Sequence, residues 1–599
     1  MERVQTDVLV VGGGTGATAA ALTAARRGAS VILASEGPWL GGMLTSAGVC
    51  APDGNELAAF QTGIWGEFLR ALERRQPGGL DHGWVSFFTY EPAIAAAIFA
   101  DWVAAEPRLR WWPNCSCGAV LRNGDRVVGA QLVKGDGQGI EVEAAIVLDG
   151  TELGDVLALG EIPHRWGWDW EPDWHEPSAP TEPSHLTDRY PVQAPTWVVY
   201  LQDFGPGAIA PLIEPPDDYD PSQFEGAWEG YGPEDFLTYG RIAGDRFMIN
   251  WPRRGNDYAV DLNRLIKSPG DRAACDRAAL AHSQGFAHFI QSQLGRRYGL
   301  APDLFPTLPG ALSPGGAFAL HPYYRESRRL KGIETVLETD LLPVPGGYAA
   351  PLPRDRATGH SSAIAIGNYA NDHHYPGWDL PLAPKSRRWG GRWTGTPFGL
   401  PYGCLVPEAI DGLLVCEKNI SVSHMANGVT RLQPTVCNLG QAAGMAAALC
   451  IERRCQPRDL PVTLLQEALL NDPVAPAAIA PCYDLTRDRP DWQRWQRYYS
   501  TYPDAYPASG NTPVPPKNLQ TLRPAKRDRP LRGTLTRPDP DTYRLEIISG
   551  PNAIAGQTLN LVTLDPAIAH QLQKRPEGPL AVWGPINRAG RWLRVEHLA

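Results

Sequence analysis

At 599 residues and 43% hydrophobic content, the chain exceeds what a single hydrophobic core usually serves, and two to four packed units are expected. Its formal net charge of −10 sums 55 Lys and Arg against 65 Asp and Glu, and the two signs are interspersed. The chain therefore lacks the cationic field that gains from counterion release, which argues against nucleic acid as a partner. The first apolar run, residues 8–11, is too short to span a bilayer and has no basic leader, so no membrane span is expected and localisation reads as cytoplasmic. Ten cysteines are scattered without a Cys-x-x-Cys, which suits a reducing compartment and predicts neither a metal site nor a disulfide scaffold. Cys115 and Cys117 fall on one face of a predicted strand and read as packed thiols rather than a redox pair.

In chain order, residues 7–11 predict a buried strand, 15–27 an alanine-rich helix stopped by Gly28, and 30–35 a second buried strand, a βαβ opening. A helix over 92–105 follows. Short strands around 117–121, 127–132 and 140–148, the first two joined by the turn Asn123-Gly124, predict a small meander. Residues 162–399 are crowded with Trp, Pro and polar turns, with one long periodic segment near 273–294, and read as a substrate-binding cap. Residues 400–500 return to the small-residue pattern of the first domain. Seven prolines between Pro503 and Pro530 predict a semi-rigid linker over 501–530. Five short strands over 531–536, 543–548, 558–563, 580–583 and 592–595 then predict a small β-barrel or sandwich spanning 531–599. The expected fold class is α/β: a Rossmann-like domain from residues 1–161 and 400–500, an inserted α+β region, and a C-terminal all-β module.

The segment Gly12-Gly13-Gly14-Thr15-Gly16-Ala17 matches the dinucleotide fingerprint and lies between a buried strand and a helix, where that motif must lie. Gly12 permits the tight turn, Gly14 lets the backbone approach a pyrophosphate, and small Ala17 lets helix and strand pack while the helix N-terminus, with Thr15 and Gly16, faces the phosphates. Glu36 ends the second strand at the distance where a carboxylate accepts the adenosine ribose hydroxyls, and its charge disfavours a 2′-phosphate. NAD and FAD sites share these features.

More of the chain separates them. Leu40-Gly41-Gly42-Met43 follows Glu36, and far downstream comes Arg431-Leu432-Gln433-Pro434, leading into Gly440-Gln441-Ala442-Ala443-Gly444. On these motifs the chain resembles the FAD-dependent oxidoreductases of the glutathione-reductase-like structural group, and more distantly the fumarate-reductase flavoproteins, over about the first 455 residues. The resemblance implies FAD as cofactor. It places Gly41, Gly42 and Met43 beside the ribityl and pyrophosphate, adds Asp149, Gly150, Asp155 and Asn419 as cofactor contacts, and puts the helix carrying Pro434, Gly440, Gln441 and Ala442 under the flavin ring. A helix N-terminus there stabilises the charge of reduced flavin near N1 and O2. The sequence departs from the family at Cys416-Glu417-Lys418-Asn419 and at Asp149-Gly150-Thr151-Glu152.

Hydride exchange at flavin N5 leaves the substrate needing a proton partner and charge stabilisation. Three clusters supply them: Asp372-His373-His374-Tyr375, His424 with Arg431, and Arg325 with Arg328 and Arg329 around Glu326. The motif aligns Arg431 with the carboxylate-clamping arginine of fumarate reductases. The candidates for catalysis are His424, Arg431, His373, His374 and Arg325. Adjacent histidines are also common in surface loops, and an Arg-Glu-x-Arg-Arg run is also common on a solvated helix face. The leading reading is an FAD-dependent oxidoreductase acting on a small polar organic molecule, with an unidentified electron acceptor or donor. The alternatives are a flavin monooxygenase or hydroxylase, for which no second nucleotide fingerprint is found, and a non-catalytic flavoprotein that docks a protein partner through its C-terminal module.

Overall fold

The structure is a computed structural model describing residues 2–514, 530–550 and 556–598. Strand β1 (Glu2–Val11) is buried over its apolar second half and leads through the glycine turn into helix α1 (Thr15–Arg26) and strand β2 (Val31–Ser35). Strand β3 (Leu109–Pro113) pairs parallel with β2, β2 with β1, and β1 with β6 (Gly139–Asp149). The strand Leu413–Val415 returns from far along the chain to pair parallel with the end of β6, Val415 opposite Asp149. Strands β4 (Cys115–Asn123) and β5 (Arg126–Lys134) form the expected meander, antiparallel against the start of β6. Fully buried parallel strands require continuous apolar runs, which residues 8–11, 31–34 and 413–415 provide. Their carboxyl ends share one edge, so Gly12, Glu36, Gly150 and Glu417 arrive together at the crevice where open α/β sheets bind ligands.

The helix Gln433–Arg453 crosses α1 at a close approach. A Cβ on Gly440 would strike the Gly16 backbone, and one on Gly444 that of Ala20. It is the one helix among the described residues long and apolar enough to cross a membrane, and 94% of its apolar window is buried inside the protein. The middle region is α+β. An antiparallel sheet runs in the order Tyr298–Leu300, Val199–Asp203, Arg246–Ile249, Arg241–Ile242, beside the helix Pro269–Leu294, which starts where Ser268 accepts the Asp271 amide. A second sheet joins Ala363–Tyr369, Arg392–Pro401 and Ser386–Trp389.

Two expectations about the C-terminal part need correcting. Residues 502–514 of the expected linker are packed: Tyr506 donates to the Pro481 carbonyl, Gly510 accepts from the Tyr483 amide, and Thr512 bonds Asp484. Proline content predicted an extended segment, but the tyrosine rings have apolar surface to bury. The remaining linker positions, 515–529, lie outside the described residues. The terminal module is not purely β. Seven described strands form one sheet rather than two stacked ones, and a helix, Pro566–Lys574, is inserted behind the N-cap Asp565. The module also packs on the body, where Arg392 lies against the touching rings of Phe87 and Trp592 and Asn587 donates to Asp81. A chain ended after Val514 should therefore keep its flavin but melt several degrees lower than the full chain, as expected for the loss of a few kcal/mol of buried contact. An unchanged melting temperature would show these contacts contribute nothing.

Candidate active site

The first turn of α1 presents N–H groups without intrahelical acceptors. Gly12, at φ +109°, makes the turn, and a side chain there would collide with Gly150. Gly150 in turn packs against Ala17, the close helix–strand contact predicted for that small residue. Thr15 Oγ donates to the Gly41 carbonyl at 2.7 Å, and Gly41 sits at φ +102°, tying the first glycine turn to the second. A Cβ on Gly42 would come within 2.6 Å of Glu152 Oε1 and 2.7 Å of the Gly14 Cα. Met43 is wholly buried behind them, and Glu36 stands exposed at the end of β2.

The residues that depart from the family pattern meet at this cradle. Glu417 Oε2 accepts the Gly16 amide at 2.7 Å, its Oε1 lies 3.3 Å from Lys418 Nζ, and Lys418 also pairs with Glu152. Burial, opposed by Lys418, lifts Glu417 to about 7. Glu152 Oε1 is buried without a hydrogen-bond partner. The N–H groups of the first turn suit a pyrophosphate, while Glu417 already takes the Gly16 amide and Lys418 is paired with both Glu417 and Glu152. Gly12, Gly14, Thr15, Gly16, Gly41, Gly42 and Glu36, the residues expected at the dinucleotide, lie around this turn.

Other residues expected at the cofactor also have structural work. Asp149 accepts from the Thr151 amide and hydroxyl and from the Leu157 amide, fixing the turn after β6. Asp155 is paired with Arg272 at 2.6 Å and Arg328 at 3.0 Å. Asn419 bonds the Asp149 carbonyl and the Glu417 amide, so it orders the cradle rather than lining it. Gln441 bridges the Ile64 amide and the Ala475 carbonyl, while Gly440 and Ala442 are buried well inside the helix. The free helix end is at Gln433 and Pro434, behind the N-cap Leu432.

All five residues proposed for catalysis converge beyond that helix end. The short helix His424–Thr430 is capped by Ser423, whose hydroxyl accepts the Ala426 amide, and Glu176 anchors Ser423. His424 is fully buried under the Trp168 ring at 4.1 Å between centroids, its own amide held by Asp169. Its Nδ1 lies 2.8 Å from Glu326 Oε1 and its Nε2 2.6 Å from the Tyr375 hydroxyl. Tyr375 also contacts His373 Nδ1 at 3.0 Å, and His373 Nε2 meets the Met425 carbonyl at 3.1 Å. Burial, together with His424 and Arg431, holds His373 well below the ordinary histidine range.

A second arm runs alongside. Arg431 donates to the Tyr323 hydroxyl at 2.6 Å and to Asp372 at 3.1 Å; Asp372 accepts from His374 at 3.0 Å, and His374 reaches Asp257 at 2.7 Å. Arg325 pairs with Asp257 at 3.0 Å and holds Thr196 and the Ala194 carbonyl. The arginine run is thus buried, not a solvated face: Arg325 is 1% exposed, and Arg329 is buried beside Asp169 and Glu326. Nor are His373 and His374 free loop residues. Burial raises Asp257, but Arg325 and His374 outweigh it and hold the carboxyl at about 2. Its folded value lies below the unfolded one of about 3.9, so its contribution, on the order of 2 kcal/mol, is complete above pH ~4 and is lost as pH falls toward 2. Asp257→Asn should flatten the melting profile across that window; an unchanged acid limb would refute the pairing.

Tyr375, Glu326, Asp372 and Asp257 were not singled out as site residues, although the first three flank ones that were. Asp53 was missed entirely. Burial, with Glu56 and Asp372 adding to it, raises its carboxyl to about 8, and Arg431 is among its neighbours. Its Asp-Gly-Asn context reads as a plain turn. Among the described residues no group of acids, histidines and cysteines is placed to hold a metal ion.

Fold and cradle together are those of a dinucleotide-binding α/β protein. The family described as FAD dependent oxidoreductase matches residues 7–469, and the chain belongs to it. It is an FAD-dependent oxidoreductase. No curated protein matches the chain. Solved structures with a detectable likeness include a geranylgeranyl bacteriochlorophyll reductase-like protein of Thermoplasma acidophilum, 11% identical over 78% of this chain and 84% of that one, TM-score 0.32. Another is a myxobacterial chondrochloren halogenase, a variant of the FAD-dependent halogenases, 17% identical over 34% and 45%, TM-score 0.22. A third is the flavin-dependent monooxygenase PieE, solved with FAD and substrate, 12% identical over 34% and 36%, TM-score 0.22.

Proposed function

We propose that the protein exchanges a hydride between FAD and a small polar organic molecule bound beside His373, His374 and Arg431, in a glutathione-reductase-like arrangement where the middle region caps the flavin. The observation that carries this reading is the convergence of two hydrogen-bonded arms, Glu326–His424–Tyr375–His373 and Tyr323–Arg431–Asp372–His374–Asp257, beside the free end of the helix Gln433–Arg453. When bound, FAD supplies the two-electron chemistry. The chain supplies the rest. His373 and His374 are partly open and can exchange protons with a substrate, whereas His424 and Arg325 are enclosed and do not meet it directly. Arg431 holds a fixed cation at the boundary, steering an anionic or strongly polar substrate. Site-directed charge and a proton donor are what a substrate losing or gaining hydride requires. The test is an anaerobic screen of the FAD-loaded protein against alcohols, amines, sugars and acids. Flavin bleaching by one class, or reoxidation of reduced flavin by one, supports the reading; a flavin unresponsive to all of them, and to their oxidised counterparts, overturns it.

A further inference from the structure

The chain Glu326–His424–Tyr375–His373–Met425 has acceptors at both ends. At one end is the Glu326 carboxylate, which also accepts the Gln193 amide at 3.2 Å and faces Arg329 at 3.3 Å. At the other is the Met425 carbonyl, which cannot donate. Between them lie four hydrogen bonds, of 2.8, 2.6, 3.0 and 3.1 Å. Two neutral imidazoles and one phenol contribute one proton each. Three protons cannot fill four bonds. Taking the chain from the carbonyl end, His373 Nε2–H donates to Met425, so His373 Nδ1 accepts from Tyr375, and Tyr375 accepts from His424 Nε2–H. His424 Nδ1 then faces a carboxylate and needs a proton of its own.

We infer that this buried chain holds one proton more than its neutral side chains supply, stored on the Glu326–His424 pair and delivered through Tyr375 to a substrate at His373. The charges around it agree. Asp169 and Glu326 face His424, Arg329 compensates Glu326, and Asp372 and Arg431 stand by His373. Burial and the nearby cations disfavour a charged His373, which leaves the proton at the far end. His373 is partly open where His424 is closed, but its Nε2 donates to the buried Met425 carbonyl and packs against Gly428, so a substrate takes that proton only by replacing Met425 as its acceptor.

The transfer balances. With a substrate in place of the Met425 carbonyl as acceptor, His373 gives it the Nε2 proton and takes the Tyr375 proton at Nδ1. Tyr375 is refilled from His424 Nε2, and His424 keeps its Nδ1 proton on Glu326. One proton leaves the pair and one appears on the substrate; no electrons move within the chain. A loaded chain donates, so it suits the direction in which a substrate accepts hydride from reduced FAD and a proton from the protein, the pattern of an activated C=C or carbonyl.

The inference rests on the proposed substrate position, and the test separates the two. In the full-length FAD-loaded protein with ¹⁵N-labelled histidine, one imidazole should carry protons on both nitrogens at pH 7 to 8. That signal should vanish in Glu326→Gln, whose amide fills the fourth bond with a proton that cannot be passed on. A carboxylic-acid infrared band lost in Glu326→Gln, with neutral His424, would place the same stored proton on Glu326 and also support the store. A singly protonated His424 with no such band would overturn it. Tyr375→Phe should leave FAD content intact and slow proton-coupled turnover on the order of 10²-fold. Full turnover in Tyr375→Phe alongside a confirmed stored proton would sink the delivery route, and with it the substrate position, while leaving the store standing.

Discussion

Gly14→Val is expected to give folded protein with almost no bound FAD. Gly14 lies at φ −64°, a conformation any residue adopts, so the variant meets no backbone strain and the effect is purely one of space. A Cβ at Gly14 would stand 2.5 Å from Glu417 Oε2 and 3.3 Å from Glu152 Oε1, inside the cradle formed with Gly42. Valine's two further methyl groups block backbone approach to the pyrophosphate and push on the carboxylate held at Gly16. Gly14→Ala should fall between the two. The measurement is flavin released per folded chain on denaturation. Undiminished FAD in soluble Gly14→Val protein would refute the cradle.

The second large effect is expected at Arg431. Its guanidinium is 2% exposed and donates in two directions, to the Tyr323 hydroxyl and to Asp372. Lysine keeps the charge but not the fork, and one ammonium cannot satisfy both partners at these distances. Arg431→Lys should therefore retain FAD yet slow the flavin half-reaction by one to a few powers of ten, the upper end matching the roughly 2–5 kcal/mol of a broken, desolvated charged pair. Because Asp372 also carries His374, the pH profile should shift as well. Full activity in Arg431→Lys would mean that the cation alone matters, or that the substrate lies elsewhere.

Much of the fold was legible because its signals are local. Strand, glycines, helix and strand lie within the first 35 residues, and each choice agrees with the others. The Asp565-Pro566 helix start was equally local, but it fell between two short strands and was read as a turn joining them. The polar centre was legible only in pieces. The stretch 372–375 announces itself, yet the bond from Tyr375 to His424 spans 49 residues and that from His424 to Glu326 spans 98. No periodicity records such pairings. The same holds for Asp155, read as a cofactor contact until Arg272 and Arg328 arrive from 117 and 173 residues away. Glu417 and Lys418 showed in the sequence only as departures from a pattern. The pairing of Lys418 with both Glu417 and Glu152 at the phosphate-binding turn explains those departures as a charge arrangement of this chain's own.

FAD and the His373 terminus are proposed to act on one substrate. The most direct measurement is the anaerobic rate of flavin reduction or reoxidation by a responsive compound, compared between the wild type and His373→Gln at equal FAD content. A fall on the order of 10²-fold with unchanged flavin binding is the predicted result. Equal rates in the two proteins would contradict it, because hydride exchange would then proceed without the proton terminus on which the site is built.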